Sequence, residues 1–487
     1  MNKLSNRLLI VSLVIAASLL LTGIAQAEQC FSIIVGKDAS ANGYVMLGHN
    51  EDNGAPLAVN HRKMPRQNYS DGDIIKLDNS GQLKQVEQTW EYIWAEIPGA
   101  IFSDGYVNEW GVSVASDKCL SKEDSPELTD GGISFMFRQI IAQRARSARD
   151  GIRIAAELIE RFGYDASGRT YMICDPDEGW MFCAIYGKNW LARRVSDDEV
   201  AVIANSYTVR AVDLADTNHF IASDGIIEYA QKRGWYNPET DGDFDFAKAF
   251  ADQEVAEASY NLYRQWGGLR YLTDEKVELN NDMPFSIKPD HKLEVFDIIN
   301  ILRDHYEGTE AHDLLENATN PHENKYHTIC NDDTYNSFVV ELRKDMPAEI
   351  GIVYWMCLGN PCNSFYIPFH FGIDQFPEAY LTSLETPTEA RYHEMISRDF
   401  TTPKSAFWRY IHFGQKIRAT YAGNHERLNS IRDDFENRLL IAKTNAEKKA
   451  LGIYNSEKNQ ANFELEKFFS DQYLESYKKM VAILSLE

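Results

Sequence analysis

The sequence predicts an α+β layered domain, and three observations predict it. Blocks of strand-forming residues recur along the chain, a helix with its own start and stop signals separates two of them, and the first block folds back through an Asn-Gly turn. Phe31 to Gly36 (FSIIVG) is an apolar run with the length of a buried strand. Lys37 to Gly43 ends in Asn42-Gly43, the strongest short hairpin signal, and Tyr44 to Leu47 (YVML) is the returning strand, running into GHNED. An antiparallel hairpin brings its two ends together. Cys30, at the start of the first strand, and Asp52, just past the end of the second, therefore become neighbours in space.

Further along, Gly111 to Asp117 alternates as a strand does. Ser147 with Asp150 three residues later is a capping pattern. Ala155, Leu158, Ile159 and Phe162 form the apolar stripe of the helix it opens, and Gly163 ends it. TYMIC, WMFCAIYG, NWLARRV and VAVIANS, joined by DPDEG and GKN, read as a strand meander between residues 170 and 206. EIGIVYWMCLG and NSFYIPFHFG read as another strand pair near residues 349–372. From Ser405 onward the pattern is long, charged and helical. A boundary is placed near residue 400, with a domain over 30–400 and a helical C-terminal extension, packed on the core, over 401–487.

The N-terminus sets the expected compartment. Lys3 and Arg7 precede an uncharged apolar run from Leu8 to Ile24, and Ala25-Gln26-Ala27 supplies the small residues that signal peptidase reads. Removal of residues 1–27 and export to the periplasm or beyond are expected. No other stretch is long and apolar enough to cross a bilayer, so no membrane contact is expected after the signal is removed. Losing Lys3 and Arg7 moves the net charge from −24 to −26. Such acidity excludes nucleic acid and anionic lipid as partners, because phosphate binding needs clustered Lys and Arg. Homo-oligomers stay open.

Seven cysteines follow the signal: Cys30, Cys119, Cys174, Cys183, Cys330, Cys357 and Cys362. In an oxidising compartment exposed thiols tend to pair, and seven is odd. Cys174/Cys183 and Cys357/Cys362 are local disulfide candidates, each bracketing a turn. Cys30 is the thiol with a chemical reading. A thiolate attacks a carbonyl well but needs a base nearby. Were Cys30 the first residue, its own α-amine, which titrates near ~7.7–8.0, would serve. Glu28-Gln29 stand in the way after signal cleavage, and form a short propeptide to be removed by self-cleavage or by another peptidase. The competing reading is a secreted, disulfide-stapled binding protein in which Cys30 pairs. His49, Glu51 and Asp52 make one short cluster without a partner His/Asp motif, so neither a metal nor an organic cofactor is expected.

CFSIIVGKDASANGYVMLGHNEDNG resembles the start of the cysteine dipeptidases among the N-terminal nucleophile (Ntn) hydrolases, relatives of penicillin V acylase, bile-salt hydrolase and acid ceramidase. YVNEWGVSVASD, ERFGYDASGRTYMICDPDEGWMFCAIYGKNW, HTICNDDTYNSFVVELRKDMPAEIGIVYWMCLGNPCNSFYIPFHFG and SAFWRYIHFGQKI resemble later segments of the same family, in order. The resemblance implies a four-layer αββα Ntn-hydrolase sandwich and amide hydrolysis through an acyl-enzyme, with short peptides as substrates and N-acyl amides as the alternative. It implies Cys30 as nucleophile with its α-amine as base, Asp52 as the carboxylate that holds the amine, and Asn205 in VIANS as the oxyanion donor. His49 stands where relatives often carry arginine, three residues before the aspartate. His49, Asn50 and, in the NEWG turn, Asn108 are the candidate substrate-binding residues.

Overall fold

A computed structural model describes residues 29–53, 58–77, 79–97, 103–381 and 405–484. The expected signal segment, Glu28 and the boundary near residue 400 lie outside the described residues. Strands are numbered β1 to β19 along the chain. The first sheet has the order β16 (Ser286–Ile287), β14 (Val200–Ile203), β1 (Phe31–Val35), β2 (Val45–Asp52), β17 (Thr334–Leu342), β18 (Ile352–Leu358), β19 (Ile367–His370). The second has the order β15 (Phe220–Ala222), β13 (Trp190–Val195), β12 (Gly179–Gly187), β11 (Tyr164–Cys174), β10 (Ser113–Lys118), β9 (Ser103–Asn108), β8 (Tyr92–Glu96), β3 (Asn60–Met64). β4 (Gln67–Asn68) with β7 (Gln88–Thr89), and β5 (Ile74–Lys76) with β6 (Gln82–Lys84), are small ribbons.

Both sheets are antiparallel throughout. β1 of the first sheet faces β10 and β11 of the second. Helices Phe137–Arg144 and Ala148–Phe162 cover the outer face of the second sheet, and helices Ser259–Leu269 and Val295–Leu302 cover that of the first. The result is an αββα sandwich. β1 and β2 are buried along their whole length, because sheet covers one side and helix the other. Gly48 marks how closely the helix approaches. A Cβ there would lie 2.7 Å from Ile298 of the covering helix and 2.8 Å from Ile33 on β1.

The helix opened by Ser147 forms as its signals dictate. The Ser147 hydroxyl accepts from the Asp150 backbone N–H at 3.1 Å, and Gly163 leaves the helix at φ 79°. The expected four-strand meander is corrected at its last member. β11, β12 and β13 are consecutive in the second sheet, but β14 crosses to the first and pairs with β1, Ser32 opposite Ile203. Val200–Ile203 is apolar on both faces, which suits a strand covered on both sides better than a meander edge. That crossing carries Asn205 to Cys30. No helix among the described residues is long and apolar enough to cross a membrane.

The last three helices (Ala406–Ala419, Tyr421–Tyr454, Lys458–Leu484) pack against β18 and β19. They are held by a buried ion network as well as by apolar contact. Arg343 donates to both Glu447 oxygens at 2.7 and 3.0 Å, His370 lies 2.8 Å from Glu447, and Lys443 reaches Glu341 at 2.8 Å. Burial alone would raise both glutamates. Lys443 and Arg343, with Tyr44 at Glu341 and His370 at Glu447, outweigh it, holding Glu341 down to about 2 and Glu447 lower still. A depressed carboxyl contributes stability above its unfolded value and loses it as pH falls toward the folded one. Acidification from about pH 4.3 towards 2 should therefore loosen the helical tail. Glu447→Ala, which takes from buried Arg343 its carboxylate partner and leaves Lys443 with Glu341 alone, should cost about 3–5 kcal/mol in denaturant unfolding and remove part of that acid transition. An unchanged midpoint would show that the network is dispensable.

Candidate active site

β1 enters the first sheet between β2 and β14, and Cys30 stands immediately before it, fully buried. Phe31 pairs with Asn50 and Ser32 with His49. Strand alternation then turns His49 and Glu51 towards the second sheet, and Asn50 and Asp52 towards the helix layer. The Cys30 thiol donates to Glu51 Oε1 at 3.4 Å. Glu51 Oε2 meets His49 Nε2 at 3.0 Å, and His49 Nδ1 shares a hydrogen bond with the Ser32 hydroxyl at 2.7 Å. Asp117, on β10 across the sandwich, lies 3.8 Å from the same ring nitrogen.

Arg264 closes the other side. It comes from helix Ser259–Leu269 and is fully buried. Nη1 donates to the carbonyl oxygens of Gln29 and Cys30, the latter at 2.8 Å. Nη2 donates to Asn205 Oδ1 at 3.1 Å and to Asn261 Oδ1 at 2.8 Å. Asn205 follows β14 in the left-handed region, φ 58°, where asparagine is among the few residues at ease. Its Nδ2 donates to the Lys118 carbonyl at 3.0 Å. One guanidinium thus gathers Gln29, Cys30 and Asn205.

Asp52 ends β2 rather than lying past it. Its carboxylate accepts from Asn331 Nδ2 at 2.5 Å and from the Thr334 hydroxyl at 2.6 Å. Burial pushes the Asp52 carboxyl well up, against the pull of Thr334, Arg264 and Asn331. Burial pushes Asp117 up to about 6, moderated by His49. Asp104, on β9, is raised by burial and by the Glu51 charge. The Cys30 thiol is pushed far above the ordinary thiol range, first by burial and then by Glu51, Asp117 and Asp52. With Gln29 attached the site therefore holds a neutral, unreactive thiol among carboxylates.

Two expected substrate-binding residues have other duties. Asn50 Nδ2 donates to the carbonyls of Leu302 and Ile329 at 2.9 and 3.0 Å, and Ser337 donates to its Oδ1. It stitches β2 to the helix layer. Asn108 donates to the Ala142 and Ala145 carbonyls and accepts from the Trp110 and Val112 N–H groups. It shapes the β9–β10 turn, at the end of β10 away from Asp117. His49, by contrast, does lie in the site. The disulfide candidates are not paired: all seven cysteines are free and buried. Cys174 faces Gly179 and Cys183 faces Thr170, four rungs apart on one ladder, and Cys362 turns to His322 instead of Cys357.

Sequence reasoning missed Arg264, Asp117 and the direct contact of Glu51 with the thiol. Glu51 had a signal, since it lies in HNED opposite the start of β1. Arg264 sits in a stretch (YNLYRQWGGL) with no motif of its own, and only the folded chain shows its partners.

The αββα sandwich of two antiparallel sheets, with a cysteine at the mouth of a central strand, agrees with the architecture that the sequence resemblance implies. Residues 29–397 match the model of Peptidase family C69, and the chain belongs to that family. It is a peptidase, a hydrolase of C–N bonds. The binding-protein alternative is thereby set aside. Similar proteins include a probable dipeptidase of Latilactobacillus sakei, 26% identical over 376 residues, covering 73% of this chain and 76% of that one. A probable dipeptidase of Salmonella dublin is 27% identical over 404 residues, covering 79% and 92%. Among solved structures, a mutant of the conjugated bile acid hydrolase of Clostridium perfringens aligns with TM-score 0.37 and 13% identity, over 73% of this chain and 99% of that one.

The latent thiol yields a direct prediction. In a chain that keeps Gln29, Cys30 should be alkylated by iodoacetamide at pH 7.5 at least ~10-fold more slowly than free cysteine, as mapped by peptide mass spectrometry. Labelling at the rate of free cysteine would contradict the buried, carboxylate-flanked thiol.

Proposed function

We propose that this peptidase is an exported cysteine dipeptidase, activated by removal of Glu28-Gln29. The observation that carries this reading is the Arg264 guanidinium, which holds the Gln29 and Cys30 carbonyls and the Asn205 side chain together. The Gln29 carbonyl belongs to the bond that must break. Arg264 polarises it, which favours self-cleavage: Cys30 Sγ attacks the Gln29 carbonyl carbon, and its C–N bond breaks. The departing nitrogen takes a proton and becomes the α-amine, and water hydrolyses the resulting thioester.

The freed amine then takes the thiol proton in the catalytic cycle. The thiolate attacks the substrate carbonyl, an acyl-enzyme forms as the amine returns the proton to the leaving nitrogen, and water releases the acid. The Asn205 amide has two N–H groups and spends one on Lys118, leaving the other for the oxyanion. Asp52 is assigned the role of steadying the protonated amine. It is itself steadied by Asn331 and Thr334.

Carboxylates that disfavour a thiolate favour a cation. Glu51, Asp117 and Asp52 flank the thiol, and Asp117 has no hydrogen-bond partner for either carboxylate oxygen. A substrate with a free α-ammonium suits such surroundings better than an N-acyl amide, which supports a dipeptide and agrees with the names of the relatives. Processed enzyme should hydrolyse dipeptides with kcat/KM about 10–100-fold above their N-acetylated counterparts, the scale of one charged hydrogen bond. A preference for acylated amides would reverse the assignment. Asn205→Ala should lower kcat about 10²–10³-fold. Cys30→Ala should be inactive and keep Glu28-Gln29, and loss of the dipeptide from that variant would exclude self-cleavage.

A further inference from the structure

A second cluster of ligating side chains lies outside the thiol site. His305, His322, Cys330 and Cys362 are all buried, with one donor atom from each within 4.8 Å of all the others. His322 Nε2 is 3.2 Å from Cys362 Sγ and 3.5 Å from Cys330 Sγ. Four ligands at ordinary zinc–sulfur and zinc–nitrogen lengths around a tetrahedron stand about 3.3–3.8 Å apart. The observed edges match that scale.

Each imidazole is also oriented for a cation. His305 Nδ1 is 2.7 Å from Glu307 Oε1, and His322 Nδ1 is 2.8 Å from Asp332 Oδ1. Both rings therefore present Nε2 to the cluster, with a carboxylate behind. Such outer partners are what fix tautomer and basicity in metal-bound histidine. His305 Nε2 is buried without a hydrogen-bond partner. A plain polar core would leave that nitrogen unsatisfied, whereas a cation uses its lone pair.

The chain around these ligands has little regular structure of its own. Between the helix ending at Leu302 and β17 beginning at Thr334, the only helix or strand is the short 3₁₀ turn Pro321–Glu323. A connection of that length in a compact domain needs something to hold it. Three of the four ligands lie in it, and Cys362 comes from the β18–β19 connection. The same segment carries Asn331, which donates to Asp52, and Ile329, whose carbonyl takes Asn50.

We propose that His305, His322, Cys330 and Cys362 form a structural, tetrahedral site for a borderline-soft divalent cation, Zn²⁺ foremost, that pins residues 303–333 against the first sheet. Two thiolates and two imidazoles fill four positions, so no position is left for substrate or water. The site holds the scaffold behind Asp52 and takes no part in bond cleavage. It stands independently of the substrate assignment.

The test is the metal content of the untagged full chain, purified under reducing conditions. One equivalent of zinc per chain is expected by plasma mass spectrometry. Cys330→Ser/Cys362→Ser should remove it, while Cys30→Ala should keep it, which separates this site from the Cys30–His49–Glu51 cluster. Should the double variant fail to fold, Co²⁺ exchanged into the wild-type chain must show the intense visible bands of a tetrahedral site and a thiolate charge-transfer band. Three results would overturn the proposal: a folded, reduced chain that holds and takes up neither Zn²⁺ nor Co²⁺; zinc that stays in the double variant; or a Cys330–Cys362 disulfide in the folded enzyme.

Discussion

The antiparallel pairing of β1 with β2 on one side and β14 on the other is the constraint from which the site follows. It brings three segments far apart in sequence to one edge of the central sheet: Cys30 before β1, Glu51 and Asp52 at the end of β2, and Asn205 after β14. The burial of β1 then forces the polar groups around Cys30 to satisfy one another. Arg264, fully buried, donates to three backbone carbonyls and two side-chain amides. Its removal would take a buried donor from each of these acceptors. The same guanidinium that completes the fold therefore sits on the peptide bond whose breakage would start the chemistry.

Electrostatics separates the two states of the site. In the chain with Gln29 attached, burial and three carboxylates oppose ionisation of the thiol. A new α-ammonium beside them changes the balance, since it is a cation in an acidic enclosure and a partner for a thiolate. On the proposed reading, the unprocessed chain is expected to be quiet for the same reason that the processed one is expected to be active. An acid-rich site suits a substrate that brings its own positive charge.

The first hairpin was legible because it depends on local chemistry: an apolar run, an Asn-Gly turn and a return. So was the Ser147–Gly163 helix, whose two ends are written in its own residues. Distant partners were not. VAVIANS has the same apolar character whether it joins the meander or crosses to β1, and only the covering layers decide. Asn50 and Asn108 look like functional residues because they are polar and lie in motifs. Their amides are instead consumed by buried backbone groups, a duty that depends on which helix ends come near. Likewise, the four ligands of the second cluster are spread over residues 305–362 without the close Cys-Cys or His-His spacing that marks a metal motif, so no metal was expected from the sequence.

The central claim is that the working nucleophile is an N-terminal cysteine whose own amine is the base. The N-terminal sequence and intact mass of the active, exported enzyme test it most directly. The account predicts a chain that starts at Cys30 with a free amine. Full peptidase activity from a chain that still starts at Glu28 would contradict it, because the nitrogen of Cys30 would then be an amide and no base.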